Sequence, residues 1–268
     1  DAYRRGRGSS GEGAQLVEGM IGYPVISTVS ATGVHVHEID GEAEVAKRII
    51  PTSVGSPQEI AELLDCELAD GGCAVVIRNT VREAQETYDA VKVVFGREQT
   101  TLLHSRFLAA ERAARDRRML ELFGKGATQR PQRHVVVATQ VIEQSLDVDF
   151  DLMLTDPAPM DLILQRIGRL HRHERADRPV GLREARCLVL VEDLFAVPWA
   201  YSTGTDHVYP RHAVLRTLGI LSDRGEITVR EPVDYAQLTE LAYSNVEAVG
   251  PAQWADAFDT ALDERERS

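Results

Sequence analysis

Apolar and polar positions along residues 73–193 follow a repeated strand–helix pattern. Short runs of consecutive apolar residues alternate with longer segments whose apolar residues recur at helical spacing. The predicted strands are Cys73–Asn79, Thr101–Ser105, His134–Thr139, Phe150–Asp156 and Ala185–Asp193. The predicted helices are Thr80–Phe95, Phe107–Gly124 and Met160–Leu170. Strands that are apolar on both faces and separated by helices predict an α/β doubly wound, mostly parallel sheet with helices on both faces.

Capping residues mark the start of two helices. Ser56 is followed three residues later by Glu59, which is the signature of a capping box, and the helix that begins there is expected to end at Gly71. Thr80 and Glu83 form the same signature ahead of the next helix.

The ends of the chain carry further elements. Two short strands are predicted at Tyr23–Val29 and Gly33–Ile39, and helical periodicity returns after Pro198 at Arg211–Leu221 and Tyr235–Leu262. The stretch GSSGEG near the start is typical of a flexible linker. We therefore divide the chain into a flexible linker at residues 1–19, an α/β domain at residues 20–196 and a small helical accessory segment at residues 197–268.

Charge and composition narrow the function classes. The formal net charge of −12 argues against a protein that binds nucleic acid over its whole surface. The middle third of the chain is the richest in basic relative to acidic residues, so an anion-binding surface is expected there. The three cysteines form no C-x-x-C pair and are expected to be reduced. Neither a membrane-spanning run nor a signal peptide is visible, which predicts a cytoplasmic protein without membrane contact.

Polar residues follow the predicted strands at the edge of the sheet where ligands usually bind. In a parallel sheet this is the carboxyl edge, at which strands lead into helices. Hydroxyl, amide and basic groups at that edge suit a nucleic-acid backbone. Thr80 alone could be only a helix cap and Ser105 only a turn residue, but the set together predicts a backbone-binding groove. The candidates are Asn79, Thr80, His104, Ser105, Arg106, Thr139 and Gln140.

Two stretches carry a more specific signal. VVVATQVIEQSLDVDFD is followed shortly by QRIGRLHR, and both resemble motifs V and VI in the second RecA-like domain of superfamily 2 helicases. Together with VVIRNTVREAQ and LLHSRF they resemble, across residues 20–245, the helicase part of the CRISPR-associated helicase-nuclease family of type I systems. The Q-x-x-G-R-x-x-R spacing of the second stretch consists of Gln165, Gly168, Arg169 and Arg172.

Departures from other helicase families favour this resemblance. Glu143, Ser145 and Asp147 give E-x-S-x-D, where repair translocases of the RecG type carry a central glycine. Gln165 stands where DEAD-box proteins have the first histidine of motif VI, and His171 stands where they have the second glycine.

The resemblance implies a role in ATP hydrolysis for motif VI. It makes Arg169 and Arg172 the arginine fingers that stabilise charge on the γ-phosphate, and their spacing of one helical turn predicts that they lie on one side of a helix. It places Gln165, Gly168 and Asp147 in the nucleotide cleft.

Two more residues are expected to couple motifs V and VI. Glu143 and Arg166 are the candidates, with Asp147 as the possible partner of Arg166. His171 and His173 lack carboxylate or cysteine neighbours at ligand spacing, so no metal site is expected in the chain.

The sequence lacks the motifs that bind nucleotide phosphates and Mg²⁺. It has no G-x-x-x-x-G-K-[ST] and no D-E-x-H box. We therefore expect the chain to be one piece of a larger enzyme and to hydrolyse no ATP alone, with ATP and Mg²⁺ bound mainly by a first motor domain.

The resemblance implies single-stranded DNA, that first domain, a nuclease domain and the Cascade surveillance complex as partners. Two alternatives remain, namely a domain of another superfamily 2 translocase and a non-catalytic binding module. Both motif VI arginines favour the motor over the binding module.

Overall fold

The computed structural model describes residues 25–30, 33–38, 46–107, 109–143, 147–231, 234–244 and 249–267. The predicted linker at residues 1–19 and Ser145 of motif V lie outside these ranges. In the described part of the chain, no helix is both long enough and apolar enough to cross a bilayer.

A seven-stranded sheet forms the centre of the fold, in the order β5-β6-β4-β7-β8-β3-β9. All neighbouring strands are parallel except β3 and β9, which are antiparallel. A separate antiparallel pair, β1 and β2, precedes it. The strands are β1 (Val25–Ser30), β2 (Gly33–Glu38), β3 (Lys47–Ser53), β4 (Gly72–Ile77), β5 (Thr100–Leu103), β6 (Arg133–Ala138), β7 (Leu152–Thr155), β8 (Ala185–Val191) and β9 (Ile227–Val229).

Helices cover both faces of this sheet, which confirms the predicted α/β doubly wound architecture with a helical segment after it. The helices are α1 (Pro57–Glu67), α2 (Val81–Phe95), α3 (Ala109–Phe123), α4 (Met160–Ile167), α5 (Arg211–Arg224), α6 (Tyr235–Tyr243) and α7 (Ala255–Arg267). The capping predictions are also confirmed. The hydroxyl of Ser56 accepts a hydrogen bond from Glu59 N at 3.2 Å, and that of Thr80 accepts one from Glu83 N at 3.2 Å.

The two faces have separate apolar cores. Ile60 of α1 and Val91 of α2 pack with Val76 of the sheet on one face. The other core contains buried residues of α3, α4, α5 and α6, together with Val75 and Trp254. Helices of the segment after residue 197 therefore share a core with the sheet.

The sequence pattern did not predict the strands β3 and β9. The stretch KRIIPTS mixes charged residues with Pro51, and β9 is too short for a clear alternation. Both are nevertheless held by backbone pairing, β3 between β8 and β9.

The predicted end of the motif VI helix was wrong. The helix α4 ends at Ile167 with Gly168 as its C-cap, so Arg169 and Arg172 lie in the following turn rather than on a helix face. The backbone of this turn forms a hydrogen bond to another segment, because Phe150 N donates to the carbonyl oxygen of Arg169 at 3.0 Å. His171 in the same turn has a φ of 49°, a left-handed conformation incompatible with a continuing helix.

Candidate nucleotide and nucleic-acid sites

The loops that follow β4, β5 and β6 lie side by side at the carboxyl edge of the sheet. Arg78 N donates to the carbonyl oxygen of Ala138 at 2.8 Å, and Thr139 N donates to that of Leu103 at 3.0 Å. The structure thus brings together the three groups of residues that the sequence predicted as a nucleic-acid surface. Asp156, which follows β7, joins them through a 2.9 Å hydrogen bond from its N–H to Ile77 O.

The predicted DNA-binding residues differ in how far they reach the surface. Ser105 and Arg106 are exposed, and Thr80 and Gln140 are partly exposed. His104, Asn79 and Thr139 are buried. Only part of the set is therefore available to a ligand in this conformation, and the DNA-binding role of all seven stays a prediction.

Asn79 makes its hydrogen bonds inside the protein. Its amide nitrogen donates to Pro157 O at 2.7 Å and to the Thr205 hydroxyl at 2.9 Å. Its backbone N–H donates to Asp156 at 2.7 Å, and its carbonyl oxygen accepts from Gln140 at 2.9 Å. Asn79 therefore connects the loops at this edge.

The His104 ring lies flat against Phe107, with ring centroids 4.1 Å apart. Its Nδ1 accepts a 3.3 Å hydrogen bond from Arg106 N, which fixes the turn that carries Arg106 to the surface. Burial lowers the pKa of His104, so the ring is neutral at pH 7. A neutral, stacked ring supports this turn rather than supplying a positive charge.

Arg166 is fully buried and contacts five groups from different parts of the chain. Every nitrogen of its guanidinium has an acceptor, which a buried cation requires. The acceptors are Glu143 Oε1 at 2.7 Å, the Thr155 hydroxyl at 2.6 Å, Asp156 O at 3.1 Å, Asn79 Oδ1 at 3.3 Å and the Tyr209 hydroxyl at 2.9 Å.

The expected contact between Arg166 and Asp147 was wrong. Glu143 is the carboxylate that pairs with Arg166, whereas Asp147 accepts from Arg172 Nε at 2.6 Å. The reason is burial, because Arg166 is fully buried and pairs with the partly buried Glu143, whereas Asp147 is half-exposed.

Arg169 lies between this interior network and the surface. One of its terminal nitrogens donates to Glu143 O at 3.0 Å, while its Nε is buried and has no hydrogen-bond partner among the described residues. Burial, together with the neighbouring charge of Arg172, lowers the pKa of Arg169. A guanidinium with a free buried donor and a like charge beside it is suited to accept an anion.

Arg172 lies further out, with 41% of its side chain exposed. Besides Asp147 it contacts Gly168 O at 3.3 Å. Asp147 also lies 3.0 Å from Nε2 of His173. Hydrogen bonds from Arg172 and then from His173 lower the pKa of Asp147, so this carboxylate is ionised and holds Arg172 in place.

A surface notch opens beside these residues. Two of the only three lysines in the sequence line it together with Arg172, although the whole chain is acidic. Its walls are Lys47, Lys125, Asp147, Gly168, Arg172, His173 and Glu231. This notch, here called the motif VI notch, is lined by three cations and two carboxylates.

Gln165 does not line the motif VI notch. It is exposed on the outer side of α4, in a groove against Tyr235 and Thr239 of α6. Its predicted contact with nucleotide stays a prediction.

Sequence reasoning missed several residues of these sites. Asp156 could have been found, because it follows a predicted strand at the same edge as Asn79. Lys47 and Lys125 are two of only three lysines in the sequence, but the structure was needed to show that they line the same notch. Tyr209 gave no signal. In the part of the chain that the structure describes, no group of three or more His, Cys, Asp and Glu side chains could hold a metal.

The mostly parallel sheet, the turn Gln140–Glu143 at its carboxyl edge and the arginines after α4 define a RecA-like helicase domain. Residues 70–175 match the family model described as "CRISPR-associated nuclease/helicase Cas3, C-terminal". The chain belongs to the Cas3 family and corresponds to its second helicase domain.

Individual relatives agree with this assignment. The chain is 38% identical over 190 residues to the CRISPR-associated nuclease/helicase Cas3 of Streptococcus thermophilus, a match that covers 70% of this chain and 19% of that protein. It is 49% identical over 143 residues to the corresponding endonuclease/helicase of Thermus thermophilus, covering 53% of this chain and 15% of that protein. The chain thus spans about a fifth or less of these relatives.

Solved structures extend the match over most of the fold. The crystal structure of T. fusca Cas3 with ATP has a TM-score of 0.79 at 30% identity and covers 92% of this chain and 30% of that chain. A structure titled "CRISPR RNA-guided surveillance complex, pre-nicking" has a TM-score of 0.71 at 30% identity and covers 91% of this chain and 32% of that chain.

Proposed function

We propose that this domain is the second motor domain of an ATP-driven single-stranded DNA translocase in CRISPR interference. The observation that carries the proposal is the motif VI notch, in which the exposed Arg172 and Lys125 lie beside the partly buried Arg169. Such a group of cations on an acidic chain supports binding of a phosphate presented from outside, by a first motor domain that holds the nucleotide.

The chemistry proposed for the notch is stabilisation of charge during phosphoryl transfer. Charge spreads over the γ-phosphoryl oxygens in the transition state, and a preorganised guanidinium lowers its energy. Asp147 holds Arg172 and the carbonyl oxygen of Glu143 holds Arg169, so both cations are oriented before nucleotide arrives.

Mg²⁺ is not suited to the residues described here. Asp147 is already neutralised by Arg172, and the described residues hold no acidic cluster for a divalent cation. We infer that the metal expected with ATP binds on the first motor domain.

The carboxyl edge of the sheet is the proposed DNA surface. Arg106 and Ser105 are exposed there, and Thr80 and Gln140 are partly exposed. Arg166 touches both sites, because it bonds to Asn79 at this edge and to Glu143, whose backbone holds Arg169. This buried connection supports a coupling of DNA position to the nucleotide site.

The wider assembly is also part of the proposal. A similar solved chain occurs in a structure titled as a surveillance complex before nicking. We infer that the complete enzyme joins this domain to a first motor domain and a nuclease domain, and that Cascade recruits it.

The experiment replaces Arg169 or Arg172 by Ala in the complete enzyme. Because the guanidiniums act mainly in the transition state, DNA-stimulated kcat should fall by about 100-fold or more, with little change in affinity for single-stranded DNA. Lys should rescue incompletely, since it lacks the planar fork. Arg183→Ala, an exposed arginine outside the notch, is the matched control. Loss of DNA binding with ATPase retained per bound DNA would place these arginines on nucleic acid and refute the proposal.

A further inference from the structure

Lys47 at the start of β3 is a buried cation next to the motif VI turn. Only 3% of it is exposed. Its ammonium donates to the carbonyl oxygen of Ile167 at 3.0 Å and forms an ion pair with Glu231. An ammonium is costly to bury unless such partners are present, so its location is a specific feature of the fold.

Glu231 extends this contact to the segment after residue 197. Its second carboxylate oxygen accepts a 2.5 Å hydrogen bond from the hydroxyl of Tyr235, the first residue of α6. The same hydroxyl lies 3.3 Å from the carbonyl oxygen of Leu164. Lys47, Glu231 and Tyr235, here called the α4 clamp, therefore contact two carbonyl groups in the last turn of α4.

The position of the α4 clamp links it to the arginines. The two carbonyl oxygens also accept backbone hydrogen bonds, Leu164 O from Gly168 N at 3.3 Å and Ile167 O from Leu170 N at 2.9 Å. A cation placed at this end of a helix stabilises it further, because it faces the negative end of the helix dipole. Arg169 and Arg172 follow that end directly, and Glu231 lies beside Gly168, where a Cβ would be 3.6 Å from its carboxylate.

We propose that Lys47, Glu231 and Tyr235 are positioning residues for the two motif VI arginines, which gives the segment after residue 197 a part in ATP hydrolysis. Lys47 acts through α4 rather than on the anion, because its ammonium is buried and engaged. The inference rests on the function proposed above and adds residues from outside the helicase motifs.

The test uses Tyr235→Phe in the complete enzyme, with ATP and a single-stranded oligothymidine as ligands. Removing one hydroxyl keeps the apolar ring and frees the end of α4. Because a small misplacement of a catalytic group is costly, kcat should fall by about 10-fold. KM for ATP and affinity for the oligothymidine should change by less than about twofold. Glu231→Gln should lower kcat in the same way, and Tyr235→Phe carries the test if that variant does not fold.

Glu226→Gln is the matched control. Glu226 forms an ion pair with Arg48 at 2.5 Å. Arg48 belongs to β3 and Glu226 directly precedes β9, so this pair joins the same two strands without touching α4. The kcat of the Glu226→Gln enzyme should equal that of wild type.

A second measurement separates positioning from general loss of structure. In an Arg169→Ala, Arg172→Ala background, Tyr235→Phe should lower the residual kcat by less than about twofold, because both groups to be positioned are already gone. An equal 10-fold loss in both backgrounds would overturn the inference. If Arg172→Ala abolishes activity while Tyr235→Phe and Glu231→Gln keep full kcat, the inference alone fails. If Arg172→Ala keeps full activity, the proposed function fails.

Discussion

At the scale of single residues, burial separates the polar groups that build the site from those that can bind a ligand. Asn79 and Arg106 both follow strands at the carboxyl edge of the sheet. The side-chain amide of Asn79 donates its hydrogen bonds to protein acceptors, whereas Arg106 is exposed. The sequence predicted where both would lie. It could not predict the burial of Asn79, because Thr205 covers it from 126 residues further along the chain.

Arg106 should contact a nucleic-acid backbone. In the complete enzyme, Arg106→Ala should weaken binding of single-stranded DNA equally for different sequences, because phosphate contacts carry no base information. The slope of log affinity against log salt should decrease by roughly one unit, as expected for one lost phosphate contact. Equilibrium titrations at several salt concentrations measure both effects.

The control for that experiment lies at the other end of the same strand. Arg97 is exposed just before β5, whereas Arg106 follows it, so Arg97→Ala removes an equal charge at the opposite edge of the sheet. If the two variants bind alike, the DNA groove is elsewhere.

Glu143 should be a large contributor to stability. Glu143→Gln would leave the fully buried Arg166 without its carboxylate and should lower the free energy of unfolding of this chain by about 3 kcal/mol. Urea denaturation followed by circular dichroism measures the change. Glu121→Gln, which breaks an exposed pair with Arg118, should be nearly neutral. Equal stabilities of the Glu143 and Glu121 variants would contradict the role given to the buried pair.

At the scale of elements, continuous apolar runs were sufficient to predict the strands at the centre of the sheet. These strands are buried on both faces, so nearly all of their residues are apolar and the pattern is visible in the sequence. The strand β3 escaped prediction because it depends on its partners β8 and β9 for pairing. The end of α4 was missed for a similar reason, since the strand-like contact between Phe150 and Leu170 stops the helix.

The strand β6 carries a titratable group that links its packing to pH. Burial lowers the pKa of His134 to about 4, with the charge of Arg118 adding to the shift, and its Nε2 lies 2.9 Å from the Thr101 hydroxyl. The neutral form is therefore favoured in the folded chain. Its contribution to stability is complete above the unfolded pKa of about 6.5 and is lost as pH falls toward 4.

The measurement is the free energy of unfolding between pH 7 and pH 4.5. His134→Gln should flatten this dependence relative to wild type by an amount of order 3 kcal/mol at most. Burial also lowers the pKa values of His104 and His171, so some dependence should persist in the variant. Parallel curves for variant and wild type would show that His134 is protonated without cost.

At the scale of the whole molecule, the segment after residue 197 is joined to the helicase motifs at several places, among them the hydrogen bond between Asn79 and Thr205. The hydroxyl oxygen of Tyr209 accepts a hydrogen bond from Arg166, and the α4 clamp contacts the end of α4. Sequence patterns predicted helices there but gave no packing, because contacts between residues far apart in sequence leave no local periodicity. The motif resemblance predicted the class of the domain, and the structure added the connections between its motifs.

In the proposed function, this domain supplies one half of a nucleotide site. Its notch offers cations for a phosphate, yet the sequence has no P-loop to hold the nucleotide and no acidic box for Mg²⁺. An arginine finger accelerates hydrolysis only of a nucleotide that another element already orients. Purified residues 1–268 should therefore show no ATPase activity above that of an Arg172→Ala preparation of the same chain, with or without single-stranded DNA. Release of phosphate, measured over several hours at millimolar ATP, tests this directly. Turnover that is abolished by Arg172→Ala would show that this chain forms a complete site, and the division of labour between two motor domains would then have to be abandoned.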